Sequence, residues 1–302
     1  MTENQGLALR TSPTPQAAII IPHYNDTERL HKCLSALAPQ LTRHPVEIIV
    51  ADNGSSVDLT PVQTAFPQVQ FVIETEKGAA AARNAGIQAS SAPRLFFTDS
   101  DCVPAPDWLE TALAFPPEDR IIGGRIDLFD ETPPPRSGAE AFETVFAFPQ
   151  QLYVEKKHFS VTANLLATRA MFEDVGGFDG RVVEDHDWCL RARAKGYAIA
   201  YHPELRVAHP TRSDWAALAR KWRRTTNENY FLNGTGAKDR LRWALRAGIV
   251  AASGLIHLPR ALTAPQLSAQ ERLACAGTLL RLRLARTGWM LRQALFGDER
   301  VK

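Results

Sequence analysis

Four short stretches of this 302-residue chain gather side chains capable of chemistry. "LFFTDSDCVP" runs an apolar segment into Asp99 and Asp101, two carboxylates one residue apart. Such a pair at a strand end offers hard oxygen ligands, which suit Mg2+ or Mn2+ and, through the cation, a diphosphate. An ordinary Asp-rich turn has the same composition. "VVEDHDWCLRARAKG" sets Glu184, Asp185 and Asp187 around His186 at the start of a helix. Acidic residues in a first helical turn are favoured by roughly 0.3–1 kcal/mol each. Three acids exceed that need, and one can serve as general base towards a hydroxyl. In "RVAHPTRSDWAALARKWRR", His209 follows a strand-like run and is a candidate to complete a metal site. Arg220, Lys221, Arg223 and Arg224 surround Trp222 and suit a leaving diphosphate or, equally, a solvated helix face. Arg83, in "GAAAARNAG", is placed to meet the phosphates or base of a nucleotide, or to be a surface arginine.

The elements that must position these residues follow from hydrophobic patterning. "AAIIIP" (17–22), "VEIIVA" (46–51), "VQFVIE" (69–74) and "RLFFTD" (94–99) are apolar runs bounded by turn residues and read as strands. Between the first two, Leu30, Leu34, Leu37 and Leu41 recur at helical spacing, with Asp26 or Thr27 as N-cap. "KGAAAARNAGIQAS" is a small-residue helix before the fourth strand. This alternation predicts an open, mostly parallel sheet whose ligands sit beyond the carboxyl ends of the strands. "PHYN", "DNGS" and "DSD" all follow strands and should therefore share one edge. "DETPPPRSG" (130–138) marks a surface connection. The helix starting near Glu184 is expected to bury Trp188, Leu190 and Ala194.

Composition narrows the class. With 45% hydrophobic and 23% charged residues the chain can bury a substantial core. Its four cysteines lie far apart with no C-x-x-C pair, which suggests neither a zinc site nor a disulfide framework and fits a reducing compartment. The first residues show no basic stretch followed by an apolar region, so the expectation is a cytoplasmic protein. There is no G-x-G-x-x-G and no G-K-[ST], which disfavours dehydrogenase and ATPase readings. From Arg212 onward 17 Lys and Arg face 6 Asp and Glu, a net of +11. That basic third carries no recognition helix or aromatic-basic sheet motif, so no nucleic-acid partner is expected. The apolar run 247–258 is too short for the roughly 20 residues of a bilayer span and reads as a core or interfacial helix. Leucines, Trp289 and Phe296 alternate with Arg281, Arg283, Arg286 and Arg292, a pattern that can lie on an anionic membrane surface.

Taken in order, "IIIPHYN", "EIIVADNGSSVD", "KGAAAARNAGIQAS", "LFFTDSDCVP", "NLLATRAMFEDVGGFD" and "EDHDWCLRARAKG" resemble the family 2 glycosyltransferases of the GT-A fold. The resemblance covers about Ala17 to His209. It implies an α/β fold, GT-A (Rossmann-like), with a mostly parallel central sheet flanked by helices; beyond it, charge and patterning point to a helical basic C-terminal extension. The division implied is a flexible segment 1–16, a catalytic domain 17–212 whose nucleotide-binding half ends near 129, and a helical region 213–302. The activity implied is metal-dependent, inverting transfer from a UDP-sugar to an acceptor hydroxyl. Residue by residue, it implies Pro22, Tyr24 and Asp52 against the nucleotide with Arg83 assisting. Asp99 and Ser100 would face ribose and sugar. Asp101 would bind Mg2+ or Mn2+, with His209 beside metal or diphosphate, and Asp185 would be the base. Asn164, Glu184, Asp187, Trp188, Arg223 and Arg224 are the acceptor or diphosphate candidates.

Two departures qualify the match. Asn53 stands where the family more often has a second aspartate, which leaves nucleobase choice open. "KWRR" only loosely resembles the Q-x-x-R-W of processive synthases, which points away from processivity. The basic tail favours a lipid or lipid-linked glycan acceptor at an anionic membrane surface, on the inner face of the cytoplasmic membrane. The competing expectations are a soluble transferase acting on a polysaccharide or other non-lipid acceptor, its tail packed on its own core, and a catalytically silent sugar-nucleotide-binding module. A nucleotidyltransferase is disfavoured by the absence of a glycine- and lysine-rich N-terminal loop.

Overall fold

The computed structural model describes residues 15–116 and 120–297. Most of the expected N-terminal segment 1–16 lies outside the described residues. The chain begins with β1 (Ala17–His23), α1 (Thr27–Leu41), β2 (Val46–Asp52), α2 (Thr60–Ala65), β3 (Val69–Ile73), α3 (Ala79–Ala89) and β4 (Arg94–Phe97). It continues through β5 (Val103–Pro104), α4 (Trp108–Ala114), β6 (Arg120–Phe129), α5 (Gly138–Phe146), α6 (Gln150–Lys157) and β7 (Leu165–Thr168). It ends with α7 (Arg169–Val175), α8 (Glu184–Ala194), β8 (Ala198–Pro210), α9 (Trp215–Asn233), α10 (Ala237–Leu262) and α11 (Ala269–Phe296).

The strands form one sheet in the order β3-β2-β1-β4-β7-β6-β8-β5. Helical crossovers make β3, β2, β1 and β4 parallel, while β7 runs antiparallel to both β4 and β6. Alternation along β1 serves both faces. Ala17, Ile19 and Ile21 pack with Leu30, Leu34 and Leu37 of α1 and with Trp108 of α4. Ala18 and Ile20 join Phe97, Phe172 and Trp188 on the other side. A side chain at Gly86 of α3 would place its Cβ 2.6 Å from Ile20 Cγ2, so the small-residue helix lies directly on β1.

The chain winds outward from β1 to β3 and then crosses back to β4 on the other side of β1. That reversal is where ligands of open α/β sheets bind, beyond the carboxyl ends of the strands. "PHYN" and "DSD" extend from those two ends. The long strand β8 passes a register shift at Gly124/Arg125 of β6 and then pairs with β5, Ala208 opposite Val103. This antiparallel pairing carries His209 back to the "DSD" loop.

Two details depart from the sequence expectations. In α8 the buried residues are Asp185, Trp188, Cys189 and Ala192, whereas Leu190 and Ala194 are exposed. The apolar stripe runs i, i+3, i+4, i+7 from Asp185, and a carboxylate opens it, which hid the phase. The second concerns the tail. Helices α9 to α11 pack on α5 around Phe142, Leu218, Ala261, Cys275 and Leu279. Arg281 lies 3.9 Å from the ring centroid of Trp215 and Arg286 4.4 Å from that of Trp222, so these arginines turn inward onto α9. Burial, with the charges of Arg283 and Arg246, pushes the Arg286 guanidinium down to about 10. Of the four α11 arginines expected to face a membrane, Arg283 and Arg286 are thus partly buried, while Arg281 and Arg292 remain exposed. Among the described residues no helix is long and apolar enough to cross a membrane.

Candidate active site

At the reversal lies a cleft of about 1060 Å³. It is lined by Pro22, Tyr24, Arg83, Asp99, Ser100, Asp101, Glu184, Asp185, His209 and Arg224 of the sequence-selected residues.

The nucleotide-side loops are held by short hydrogen bonds. His23 accepts the Asp26 N–H at Nε2, 3.1 Å, so Nδ1 carries its proton and donates it to Asp52 Oδ1, 2.9 Å. The Ser55 N–H donates to Asp52 Oδ2, 2.9 Å, and the Ser55 hydroxyl to Oδ1. Burial works to raise the Asp52 carboxyl, but the Ser55 bonds and His23 outweigh it and hold it below its ordinary value. Asp52 is therefore occupied behind the cleft rather than lining it, and it sets the loop's shape. Asn53 lines the cleft instead. Its amide donates to Glu74 O, 3.2 Å, and Glu76 O, 2.6 Å, while its oxygen accepts the Gly78 N–H, 2.7 Å. Only an amide both donates and accepts in this way, which explains the departure from aspartate at this position. Tyr24, 56% exposed, offers a ring face with Lys77 Nζ 5.0 Å from its centroid.

Arg83 is 4% exposed and joins the two acidic stretches. Its Nη2 donates to Asp99 Oδ1, 2.6 Å, and its Nη1 to Glu184 Oε1, 2.8 Å. Asp185, next in the chain, is 9% exposed and accepts the His186 N–H at 2.7 Å. Burial first, and then the charge of Glu184, push the Asp185 carboxyl up to about 7, against the opposing pull of Arg83. A buried carboxyl poised near neutrality in a cleft is the environment of a general base.

The second acidic residue of the "DSD" loop meets β8. His209 Nδ1 lies 2.7 Å from Pro210 O, which can only accept, so Nδ1 bears the proton. Nε2 faces Asp101 Oδ2, 3.4 Å away, and in the neutral ring it presents a lone pair there. Two electron-pair donors facing each other fit a divalent cation between them. Among the described residues no group of three or more His, Cys, Asp or Glu could hold a metal. Oxygen ligands from a phosphate-bearing substrate and water would have to complete such a shell, as is usual for Mg2+.

The opposite wall comes from α5, the residues that follow it and the tail helices. Glu143 of α5, 1% exposed, accepts from Arg212 at 2.9 Å and from Lys221 at 2.8 Å. Burial pushes the Lys221 ammonium down to about 8 despite Glu143. The Phe148 ring lies between Lys221 Nζ, 4.7 Å from its centroid, and the His209 ring, 4.7 Å away. Arg224 and Glu228 of α9 and Arg246 of α10 also line the cleft. Burial, reinforced by Glu184, raises the Glu228 carboxyl to about 7.

Several candidates lie elsewhere. Trp188 is fully buried, stacked 4.2 Å from Phe172, and its indole N–H donates to Gly176 O. Asn164 is fully buried and donates to Arg125 O and Leu205 O while accepting the Trp108 indole N–H. Both are structural rather than acceptor contacts. Asp187 pairs with Arg191 at 2.8 Å, and Arg223 is exposed, both outside the cleft lining. The sequence reading passed over Glu143, Lys157, Arg212, Glu228 and Arg246. For α9 the signal was present: Lys221, Arg224, Thr225 and Glu228 stand at i, i+3, i+4, i+7, one helical face, and Arg223 lies off it. Asn164→Leu is expected to cost about 2–4 kcal/mol, because an indole N–H and two carbonyls lose their partners. Urea denaturation measures the loss.

Comparison with known proteins gives a consistent picture. The model of Glycosyl transferase family 2 matches residues 18–176. "Glycosyltransferase AglE" of Haloferax volcanii is 32% identical over 226 residues, covering 70% of this chain and 73% of that protein. The pre-mycofactocin glycosyltransferase of Mycobacterium tuberculosis is 30% identical over 216 residues, covering 66% of this chain and 44% of that one. Among solved structures, the mannosyltransferase PcManGT of Pyrobaculum calidifontis, in complex with GDP-Man and Mn2+, aligns with a TM-score of 0.59 at 20% identity. It covers 95% of this chain and 88% of that one. GalNAc-T7 with UDP, GalNAc and Mn2+ gives 0.51 at 16% identity over 67% of this chain and 45% of that one. At these identities the structural likeness is one of fold.

Proposed function

Since this chain belongs to glycosyltransferase family 2, we propose that it moves the sugar of a UDP-sugar onto an acceptor hydroxyl, inverting the anomeric carbon. The observation that carries the reading is Asp185, a buried carboxyl raised to about 7 in the cleft that also holds Asp99 and Asp101.

In this reading the base lies against Pro22 and Tyr24 over the loop that Asp52 and Asn53 shape. Asp99 and Ser100 face ribose and sugar, and Arg83 holds Asp99 and Glu184 in register. Asp185 accepts the proton of the acceptor hydroxyl as its oxygen bonds to the anomeric carbon and the bond to the diphosphate oxygen breaks. The nucleoside diphosphate leaves on the opposite face. Arg212 and Lys221, whose two charges exceed that of Glu143, stand ready for its negative charge. Asp101 and His209 would hold Mg2+ or Mn2+, which when bound neutralises charge on the leaving diphosphate.

The acceptor end is walled by α9 and α10, and we read the acceptor as a lipid or lipid-linked glycan met at the inner face of the cytoplasmic membrane. Support comes from α10, where Leu241, Leu245, Ile249 and Ile256 are 64–72% exposed. The inward arginines of α11 favour the second reading, a non-lipid acceptor with the tail as part of the core.

The test is diphosphate release from a panel of UDP- and GDP-sugars with Mg2+ or Mn2+, with and without lipid extract. Metal-dependent release of UDP, enhanced by lipid, is expected. Absence of binding or turnover of every nucleotide sugar would overturn the reading. Asp101→Asn and His209→Ala each remove an interaction with a charged ligand worth about 1.5–3 kcal/mol. Each should raise the Mn2+ concentration for half-maximal rate by about tenfold or more, and Mn2+ titration followed by electron paramagnetic resonance should show the same shift.

A further inference from the structure

Among the described residues three other than glycine have a positive φ: Asn25, Phe148 and His158. Asparagine tolerates the left-handed region, and His158 is the left-handed cap of α6. Phe148, at φ 44°, is bulky and precedes a proline, two reasons to avoid that region. A glycine would suit the backbone better, so the cause is to be sought in what the ring touches.

The corner that Phe148 occupies joins α5 to α6 and is fixed on both sides. The Ala147 N–H donates to Glu143 O, 2.8 Å, at the end of α5, and Arg260 of α10 donates to Val145 O, 2.7 Å. Beyond the corner the Gln150 N–H donates to Phe148 O, 2.7 Å, and the buried Gln150 amide donates to Ser160 Oγ, 2.7 Å. Between these anchors the left-handed step places Phe148 in the cleft lining. Its ring centroid lies 4.7 Å from that of His209, the planes tilted by 44°, and 4.7 Å from Lys221 Nζ. Lys221, held by Glu143 at 2.8 Å, is attracted to the ring and steadies it from α9. His209 needs such a neighbour. Its Nδ1 is bonded to Pro210 O, 2.7 Å, and this one bond leaves the imidazole free to tilt about it, which would carry Nε2 away from Asp101.

We propose that Phe148 is a positioning residue for the metal site: its ring, held in the cleft by a strained backbone, fixes the tilt of the His209 imidazole so that Nε2 faces Asp101 Oδ2. The inference rests on the assignment of Asp101 and His209 to Mg2+ or Mn2+, and deepens it by naming the residue that sets their geometry. The orientation of a ligand counts alongside its identity, and losing a neighbour that orients it typically weakens metal binding by about 10–100-fold.

The full chain is titrated with Mn2+ in the presence of UDP and followed by electron paramagnetic resonance. Phe148→Gly, which suits the backbone, should weaken Mn2+ by about tenfold, whereas Phe148→Tyr, which keeps the ring, should bind as wild type does. In the His209→Ala background Phe148→Gly should add little, because both changes act on one interaction. A general structural role would instead make the two losses add. A second readout needs no metal. The ring protons of His209, identified in NMR spectra by their absence from His209→Ala, should carry a ring-current shift in wild type and Phe148→Tyr and lose it in Phe148→Gly. Wild-type Mn2+ affinity in Phe148→Gly, full additivity with His209→Ala, or an unchanged His209 spectrum overturns the positioning role alone. No Mn2+ binding by the wild-type chain overturns the metal assignment, and the inference with it.

Discussion

Asp185→Asn is expected to lower kcat by about 10²–10⁴-fold, the usual contribution of a general base, with donor affinity unchanged. The amide keeps the shape of the side chain and loses only the site that accepts the acceptor's proton. Initial rates together with direct donor titration separate the two effects, and wild-type turnover would remove Asp185 from the role. The pH dependence follows from the same carboxyl. Raised by burial and Glu184 to about 7, it is protonated and inactive as a base below that pH. The rate should climb about tenfold per pH unit on the acid side of 7 and level off above it. Stability should move the other way. The folded carboxyl holds its proton to higher pH than the unfolded one, so its contribution is full below the unfolded value near pH 4 and is lost as pH rises towards 7. Asp185→Asn should therefore melt higher than wild type at pH 8 and with it below pH 4.

Glu143→Ala should be the most destabilising single change in the cleft. Glu143 is 1% exposed, and its removal strands Arg212 and Lys221, whose own side chains are 22% and 21% exposed. Breaking a buried ion pair from one side costs about 3–5 kcal/mol, or roughly 5–8 °C in Tm for a chain of this length. Burial opposes the charge of Glu143, yet Lys221 and Arg212 hold its carboxyl below the ordinary value. The stabilisation is thus present above pH 4.5 and lost as acid protonates the lowered folded-state group, so the gap between variant and wild type should narrow as pH falls below 4.5. Thermal melts across pH measure both, and Glu143→Gln should fall between.

The donor half was legible because its information is local. Apolar runs ending in "PHYN", "DNGS" and "DSD" declare strands and the loops beyond them, and the reversal between β1 and β4 does the rest. The base helix was legible in position but not in phase, since Asp185 occupies a buried position that a hydrophobic pattern skips. Asn164 and Trp188 misled for a related reason: a polar or amphipathic residue looks functional in sequence, whereas here each fills the interior with its hydrogen bonds satisfied. The acceptor wall was illegible because it is assembled from afar. Glu143 meets residues 69 and 78 positions away in the chain, and nothing near it in sequence announces that. In the basic tail the sequence shows the charge but not the platforms, Trp215 and Trp222 of α9, on which Arg281 and Arg286 stack.

The pairing of the two-residue strand β5 with the end of β8 makes the spacing of Asp101 and His209 a matter of counting. Val103 opposite Ala208 sets how far each neighbour lies from the other. One residue inserted between Asp101 and Val103, or removed between Val207 and His209, displaces one partner by about 3.3 Å and turns its side chain to the other face. Chain length through these few positions therefore governs the site separately from the packing of Cys102 and Val207, which are buried in the core beside it.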